Sequence, residues 1–251
     1  MSADYDVLAS IYDRAGMGNF AKAMTPRLLN FAQQNEWIGR RILDLGCGTG
    51  ASTSFFSMQG LNVIGVDRSP AMLNQTRERL ESQSISANLV EQDVRELEGL
   101  GPVDLVIAID VLNELENLRD LETVFAKAYS VLSPGRMFIF DLKTMEGLVN
   151  TGLEGDTALY DSSDVAVFTH EEFDYERHSL DTTFHIFHQD INSSWERKKA
   201  NRLQRAFPVQ AIATLLRRQN FDVMSVVDTN FQPYNLGLSS APRVIFFARN
   251  V

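Results

Sequence analysis

The chain has 251 residues, of which 44% are hydrophobic, and its formal net charge is -10. This length accommodates one large domain, or one domain with a sizeable insertion, and the composition excludes an intrinsically disordered chain. Because a surface this acidic repels phosphate backbones, we expect no nucleic-acid partner.

Three further features bear on the compartment. The single cysteine, Cys47, cannot form an internal disulfide, which is typical of a reducing compartment. The N-terminal residues lack the basic and apolar regions of a secretory signal, and no apolar run approaches the about 20 residues that span a membrane. We therefore expect a cytoplasmic protein with no membrane partner, whereas the sequence does not indicate its oligomeric state.

Two helical patterns come first in the chain. Residues 5–14 place Tyr5, Leu8, Ile11 and Tyr12 on one side of a predicted helix, and residues 24–34 form a second predicted helix.

Strand and helix patterns then alternate over residues 41–141. The predicted strands are 41–45, 62–67, 88–91, 103–109 and 136–141, and the predicted helices are 51–58, 70–83 and 118–132. Ser69 is a suitable N-cap and Pro70 a suitable first residue for the second of these helices. The Ser133-Pro134-Gly135 run predicts that the third ends in a turn. Such alternation predicts an α/β fold, with a mostly parallel sheet covered on both faces.

The alternation stops after Asp141. Three extended patterns follow at 165–173, 180–190 and 195–207, without a helix between them. A helix at 208–219 and two antiparallel strands at 221–227 and 243–248 complete the chain. We therefore expect a core of residues 1–149 and 207–251, with residues 150–206 inserted as a small antiparallel sheet.

A glycine-rich turn stands between the first predicted strand and its helix. Glycines there let a ligand approach the backbone closely, and the N–H groups at a helix start favour anionic ligand groups. Gly46, Gly48 and Ala51 satisfy a relaxed dinucleotide fingerprint, and Asp67 ends the next strand, where a carboxylate accepts hydrogen bonds from ribose hydroxyls. These features fit NAD and S-adenosylmethionine alike.

A resemblance separates these two cofactors. The run ILDLGCGTG, with Asp44 two places before Gly46, resembles the first motif of class I S-adenosylmethionine-dependent methyltransferases. Four further runs resemble later motifs of that family in the same order: VDRSPAML from Val66, EQDV from Glu91, VDLVIAID from Val103 and LSPGRMF from Leu132. The resemblance implies a Rossmann-like sheet of seven strands and methyl transfer from S-adenosylmethionine to nitrogen or oxygen of a small-molecule acceptor by in-line displacement.

The same resemblance implies roles for individual residues. Asp44 would lie near the ammonium group of the cofactor, Gly46 and Gly48 would line its methionine part, and Asp67 would bind the ribose. Met72, Asp93 and Val94 would surround the adenine, with Asp93 bound to its amino group. Asp110 and Val111 would border the methionine part and the opening for the substrate. Arg68, next to Asp67, joins this predicted cofactor-binding set.

Two outer regions resemble amino-sugar N-methyltransferases and enzymes similar to glycine N-methyltransferase. The N-terminal helix would supply an aromatic side chain over the cofactor, for which Tyr12 is the candidate; the alternative is that Tyr12 belongs to an ordinary core stripe. The insertion would form a lid over the substrate pocket. Of Arg202 and Arg205 in the insertion, only one is expected to face that pocket.

His185 and His188 are the candidate catalytic residues. A histidine with a pKa near neutrality can take a proton from an attacking nucleophile, and strand alternation places these two on opposite faces. They are equally compatible with a structural role, and their spacing does not support a metal site.

Two other functions remain open. An NAD-dependent oxidoreductase would leave Asp44 without a role, and no evident Ser/Tyr/Lys or Cys/His set follows the nucleotide-binding region. A non-catalytic cofactor-binding protein of the same fold would keep the glycines and Asp67 but have no turnover.

Overall fold

A computed structural model describes residues 4–190 and 193–251. The first three residues of the N-terminal segment and residues 191–192 of the predicted insertion lie outside the described residues. The helices are α1 (Tyr5–Leu8), α2 (Asn19–Gln34), α3 (Ala51–Met58), α4 (Pro70–Ser82), α5 (Leu118–Val131), α6 (Met145–Glu154) and α7 (Val209–Arg218). The strands are β1 (Arg41–Leu45), β2 (Asn62–Asp67), β3 (Asn88–Glu91), β4 (Val103–Ala108), β5 (Leu132–Lys143), β6 (Asp156–Asp161), β7 (Val165–Asp174), β8 (Ser179–Gln189), β9 (Trp195–Arg205), β10 (Phe221–Asp228) and β11 (Arg243–Asn250). A short 3-10 helix, Leu112–Glu114, follows β4.

The main sheet has seven strands in the order β10-β11-β5-β4-β1-β2-β3. Strands β1 to β5 pair in parallel, and β11 is antiparallel to both β5 and β10. This arrangement confirms the predicted Rossmann-like fold class. It also brings the carboxyl ends of β1, β2, β4 and β5 to one edge, where ligands bind in open α/β sheets.

Successive residues of the central strands face opposite layers of the core. In β1, Leu43 packs in the layer beneath α5 and α7, which includes Phe125, whereas Ile42 packs in the layer of α2 and α3, which includes Leu28 and Phe56. Burial on both faces explains why these strands are apolar along their whole length. The sheet is consequently a rigid platform for the loops at its carboxyl edge.

The N-terminal segment differs from the predicted helix over residues 5–14. Helix α1 covers only Tyr5–Leu8, and irregular turns continue to Gly18. The apolar stripe still faces inward, but polar contacts anchor the segment. Ser69 caps α4 as predicted by accepting from the Met72 N–H at 3.1 Å, and its hydroxyl also donates to Asp6 at 2.6 Å.

The turn predicted at residues 133–135 lies inside β5: Gly135 has φ of 73°, and the pairing with β4 shifts register between Leu132 and Met137. Strand β5 begins at Leu132, directly after α5, because the side chain of Asn250 holds this stretch: its Nδ2 donates to the Leu132 carbonyl at 3.2 Å, and its Oδ1 accepts from Gly135 N at 3.1 Å. Helix α6 and strand β6 are two further elements that the sequence did not predict.

The inserted strands form a separate antiparallel sheet in the order β6-β7-β8-β9. We call this the insertion sheet. Phe184 and Ala200 on its inner face pack against Leu8 and Ile11 of the N-terminal segment and against Met72 of α4. The insertion sheet thus covers the elements beside the carboxyl edge of the main sheet. The boundaries 150 and 206 for a separate subdomain stay a prediction.

None of the helices in the described part of the chain is long and apolar enough to cross a membrane.

Candidate functional site

A cavity opens at the carboxyl edge of the main sheet, beneath the N-terminal segment. It holds about 920 Å³ of space not occupied by atoms, open mouth included. Ten of the predicted cofactor-binding residues line it: Tyr12, Gly46, Gly48, Asp67, Arg68, Met72, Asp93, Val94, Asp110 and Val111. The predicted set is therefore brought together, with the exception of Asp44.

The glycine turn forms one wall of this cavity. Gly46 and Gly48 have φ of 63° and 56°, in the left-handed region that other residues adopt at a cost. A Cβ on Gly46 would lie 2.5 Å from the side chain of Val111, so only glycine fits there. A Cβ on Gly48 would find its nearest neighbour at 4.0 Å, so that side of the turn is open to a ligand.

Asp67 is fixed at the cavity by the backbone on both sides. One carboxylate oxygen accepts from Gly48 N at 2.9 Å and the other accepts from Ser69 N at 2.9 Å. Burial raises the pKa of this carboxyl, and these backbone donors oppose the rise. Each oxygen retains capacity for a further hydrogen bond, so the carboxylate fits two neighbouring ribose hydroxyls.

Asp93 and Met72 define the end of the cavity predicted for adenine. Asp93 accepts from Arg95 Nε at 2.9 Å and from its terminal nitrogen at 2.8 Å, and these hydrogen bonds lower its pKa. Met72 is only 1% exposed and lines the same cavity with Val94. A charged acceptor beside an apolar floor fits a purine with an exocyclic amino group.

Asp44 does not line the cavity, and its place near the ammonium group of the cofactor stays a prediction. Its carboxylate lies behind the glycine turn, where it accepts from Ser52 Oγ at 2.5 Å and Thr53 Oγ at 2.6 Å. Burial raises its pKa to about 6, although both hydroxyls oppose this shift. Asp44 therefore connects β1 to the start of α3 and supports the turn from behind.

A buried cluster of charges lies beside the other end of the cavity and contributes Asp110 to its wall. Arg243 lies between Asp110, at 2.8 Å, and Asp141, and its guanidinium stacks 3.8 Å from the ring centre of Phe20. Asp110 has φ of 60°, and its N–H donates to Asp141 at 2.8 Å. Burial alone would raise the pKa of Asp110, but Arg243, Lys143 and Arg202 together outweigh it and lower that pKa. The cluster holds this strained loop beside Gly46 and Val111.

Sequence reasoning missed Glu114 and Tyr5, both of which line the cavity. The Tyr5 hydroxyl donates to the Glu114 carboxylate. Burial raises the pKa of Glu114 to about 7, while Arg202 and the Tyr5 hydrogen bond act in the opposite direction. The signal for Glu114 was its position: like Asp110, it follows β4 at the carboxyl edge.

The histidines are not in the cavity, and the structure does not support their predicted catalytic role. His185 lies on the outer face of the insertion sheet, with Nδ1 2.8 Å from Arg197. His188 shares the inner face but contacts Glu196 at 3.2 Å near the end of the sheet. Since Glu196 precedes Arg202 by six residues of β9, His188 lies about 20 Å from Arg202 along the strand.

Arg202 is the arginine of the insertion that faces the site, as expected for one of the pair. Its charge interacts with four residues that line the cavity: Tyr5, Tyr12, Asp110 and Glu114. Arg205 is three residues further along β9, so its side chain points to the opposite face of the sheet.

No group of three or more histidine, cysteine, aspartate or glutamate residues within 4–190 and 193–251 could hold a metal ion.

The fold is Rossmann-like, and the glycine turn and Asp67 together form a site that fits a nucleoside-containing cofactor. The family described as a methyltransferase domain matches residues 42–135. A Bacillus subtilis protein named as a methyltransferase, YqeM, is 26% identical over 88% of this chain and 88% of its own length. The chain spans less than half the length of several other curated methyltransferases that it matches.

Solved structures share this fold over nearly the whole chain. An S-adenosylmethionine-dependent methyltransferase from Clostridium acetobutylicum superposes with a TM-score of 0.82 at 23% identity, covering 98% of each chain. An amino pentose methyltransferase from Micromonospora echinaspora, solved with S-adenosylmethionine bound, gives 0.70 at 17% identity, covering 96% of this chain and 97% of that one. Residues 42–135 thus match a methyltransferase domain, and the chain as a whole has the fold of solved S-adenosylmethionine-dependent methyltransferases.

Proposed function

We propose that this protein transfers a methyl group from S-adenosylmethionine to a nitrogen or oxygen atom of a small-molecule acceptor. The observation that carries the proposal is one cavity bounded by the open glycine turn and Asp67 on one side and by Glu114 and Asp110 on the other. The acceptor would enter between this second side and the insertion sheet.

The residues on the first side suit the cofactor. Gly46 and Gly48 would border its methionine part, Asp67 would accept from its ribose, and Asp93 with Met72 would hold its adenine. When bound, the cofactor supplies a methyl group already activated by a positive sulfur. The protein therefore has to orient the acceptor, exclude water and receive a proton.

Glu114 is the group that would receive that proton. It lines the cavity, and its burial raises its pKa to about 7, so near neutrality it can both accept and release a proton. Tyr5, which donates to Glu114, would keep the carboxylate in place. This role replaces the one predicted for His185 and His188.

A nitrogen acceptor is favoured by one comparison, because a structure of the same fold from Streptoalloteichus is named as a sugar N-methyltransferase. A cofactor-binding protein without turnover is the second candidate, since an intact cofactor pocket is compatible with either function.

Incubation with methyl-labelled S-adenosylmethionine and a panel of small amines and alcohols is expected to give labelled product. The demethylated product, S-adenosylhomocysteine, should bind in calorimetry, and NAD should not. Binding of the sulfur ligands without transfer to any panel member would favour the non-catalytic candidate. Tighter binding of NAD than of S-adenosylhomocysteine would contradict the cofactor assignment.

Replacement of Asp67 by alanine is expected to weaken S-adenosylhomocysteine binding by about 1.5–3 kcal/mol, the usual scale for hydrogen bonds to a charged group. The fold should survive, because the carboxylate contacts only backbone N–H groups at the cavity edge. Calorimetry measures the affinity, and Asp228→Ala, at the end of β10, serves as the control. Normal affinity combined with a much lower melting temperature would show that Asp67 is structural.

A further inference from the structure

Two buried hydrogen-bond donors on β9 have no acceptor. Among the described residues, the buried side-chain atoms without a hydrogen-bond partner are Ser57 Oγ, Arg202 Nε and Gln204 Nε2. Arg202 and Gln204 are two residues apart, so they share the inner face of the insertion sheet. Because a buried donor without an acceptor is destabilising, two adjacent ones indicate an acceptor that the chain does not supply.

The Arg202 guanidinium lies beside the cavity. It lies over the ring of Phe184, 5.8 Å from the ring centre, with Tyr5 and Glu114 in electrostatic range. None of the described carboxylates forms a direct ion pair with it, whereas Arg243 is paired with both Asp110 and Asp141. Arg202 Nε is thus a buried donor beside the cavity without an acceptor among the described residues.

Gln204 has a fixed orientation. Its side chain is completely buried, and its Oε1 accepts from Lys143 Nζ at 3.1 Å. Because Oε1 accepts from Lys143, Nε2 is the amide's donor and points away from Lys143. Lys143 ends β5, and its backbone N–H is held by Asn113 at 2.8 Å, so the amide is positioned against a rigid strand.

We propose that Arg202 and Gln204, with Lys143 behind them, form a subsite for a carboxylate group of the acceptor. This inference rests on the proposed methyl transfer and adds to it the chemistry of the acceptor. A planar guanidinium matches the two oxygens of a carboxylate, and the amide N–H supplies a third donor. The acceptor is then a small carboxylic acid that carries its nucleophilic nitrogen or oxygen elsewhere.

Charge favours a carboxylate over a phosphate group. Three acidic residues, Asp110, Glu114 and Glu171, lie in electrostatic range of Arg202 or Lys143. A phosphate dianion would be repelled by these carboxylates more strongly than a monoanion would.

Location favours the acceptor over the cofactor as the source of the carboxylate. Arg202, Gln204 and Lys143 belong to the insertion sheet and to the end of β5, and none of them is among the residues that line the cavity with Gly46 and Gly48. The methionine part of the cofactor also carries a carboxylate, so the experiment has to separate the two sources.

The first arm uses the protein saturated with S-adenosylhomocysteine and titrated with acetate, acetamide, benzoate and benzamide, with binding followed by NMR. We expect at least one acid to bind and its amide not to bind. Arg202→Gln should weaken binding of that acid 10- to 100-fold. Arg197→Gln, on the outer face of the same strand, should leave it unchanged. Failure of both acids to bind, or equal losses in the two variants, would overturn the subsite.

A second variant keeps the subsite testable if Arg202→Gln does not fold. Gln204→Glu keeps the shape of the side chain and its contact with Lys143, but it places a negative charge in the subsite. We expect it to lose binding of the acid while it still binds S-adenosylhomocysteine. Retained affinity for the acid in Gln204→Glu would overturn the subsite.

The second arm compares S-adenosylhomocysteine with methylthioadenosine, which lacks the amino-acid part. We expect Arg202→Gln to bind both like the parent protein. A loss confined to S-adenosylhomocysteine would assign Arg202 to the cofactor carboxylate and overturn the acceptor subsite. Failure of the parent protein to bind S-adenosylhomocysteine would instead contradict the proposed function, so the two failures are distinguishable.

Discussion

Replacement of Arg243 by methionine is expected to lower the free energy of unfolding by about 3–5 kcal/mol, the cost of leaving a buried ion pair without one partner. Arg243 bridges Asp110 and Asp141 and has only 11% of its side chain exposed. Methionine keeps much of the apolar volume over Phe20, so the loss would report the uncompensated carboxylates. Urea unfolding followed by circular dichroism measures it.

Arg14→Met provides the matched control for that experiment. Arg14 also pairs with a carboxylate, Asp164, but the two side chains are 42% and 54% exposed. Exposed ion pairs contribute about 0–1 kcal/mol, so this variant should unfold almost like the parent protein. An equal decrease in the free energy of unfolding in Arg14→Met and Arg243→Met would mean that the buried cluster stabilises the fold no more than an exposed ion pair does.

The order of strands and helices in the core could be predicted because its signals are local. Apolar runs such as residues 41–45 and 103–109 follow from burial on both faces, and the cap at Ser69 from its own side chain. The start of β5 could not be predicted, because Asn250, more than 100 residues later, determines it. The irregular segment after Leu8 is likewise in contact with distant residues: Asp13 accepts from Thr49 Oγ1 at 2.9 Å, and Arg14 pairs with Asp164.

The site shows the same division. Ten of the residues that line the cavity were named from the sequence, nine of them because their motifs follow one another in a known order along neighbouring strands and Tyr12 from the N-terminal segment. Tyr5, Glu114 and Arg202 come from three distant parts of the chain, and no local pattern places them together. His185 and His188 were chosen for the chemistry of imidazole, and strand alternation correctly placed them on opposite faces. Alternation carries no information about position along the strand, which is what separates His188 from the cavity.

Charge around Glu114 determines how turnover should depend on pH. Burial raises its pKa to about 7, with Asp110 adding to the rise, while Arg202, Tyr5 and Arg68 oppose it. Only the deprotonated carboxylate can accept a proton from the acceptor. Turnover should therefore increase with pH through this region and then level off. Because the bound cofactor brings a positive sulfur into the cavity, the midpoint during turnover should lie at or below about 7.

Glu114→Gln is expected to reduce kcat about 10²- to 10⁴-fold, the usual contribution of a positioned acid or base. Glutamine preserves the size of the side chain and can still accept a hydrogen bond from Tyr5, so S-adenosylhomocysteine affinity should change little. The increase of kcat with pH near 7 should also disappear, because the titrating group is removed. His185→Ala is the matched control, since its side chain is outside the cavity, and it should keep both the rate and the pH profile.

A full rate in Glu114→Gln would mean that solvent takes the proton, and that positioning alone accounts for catalysis. A decrease in kcat with the pH profile unchanged would make Glu114 a positioning residue.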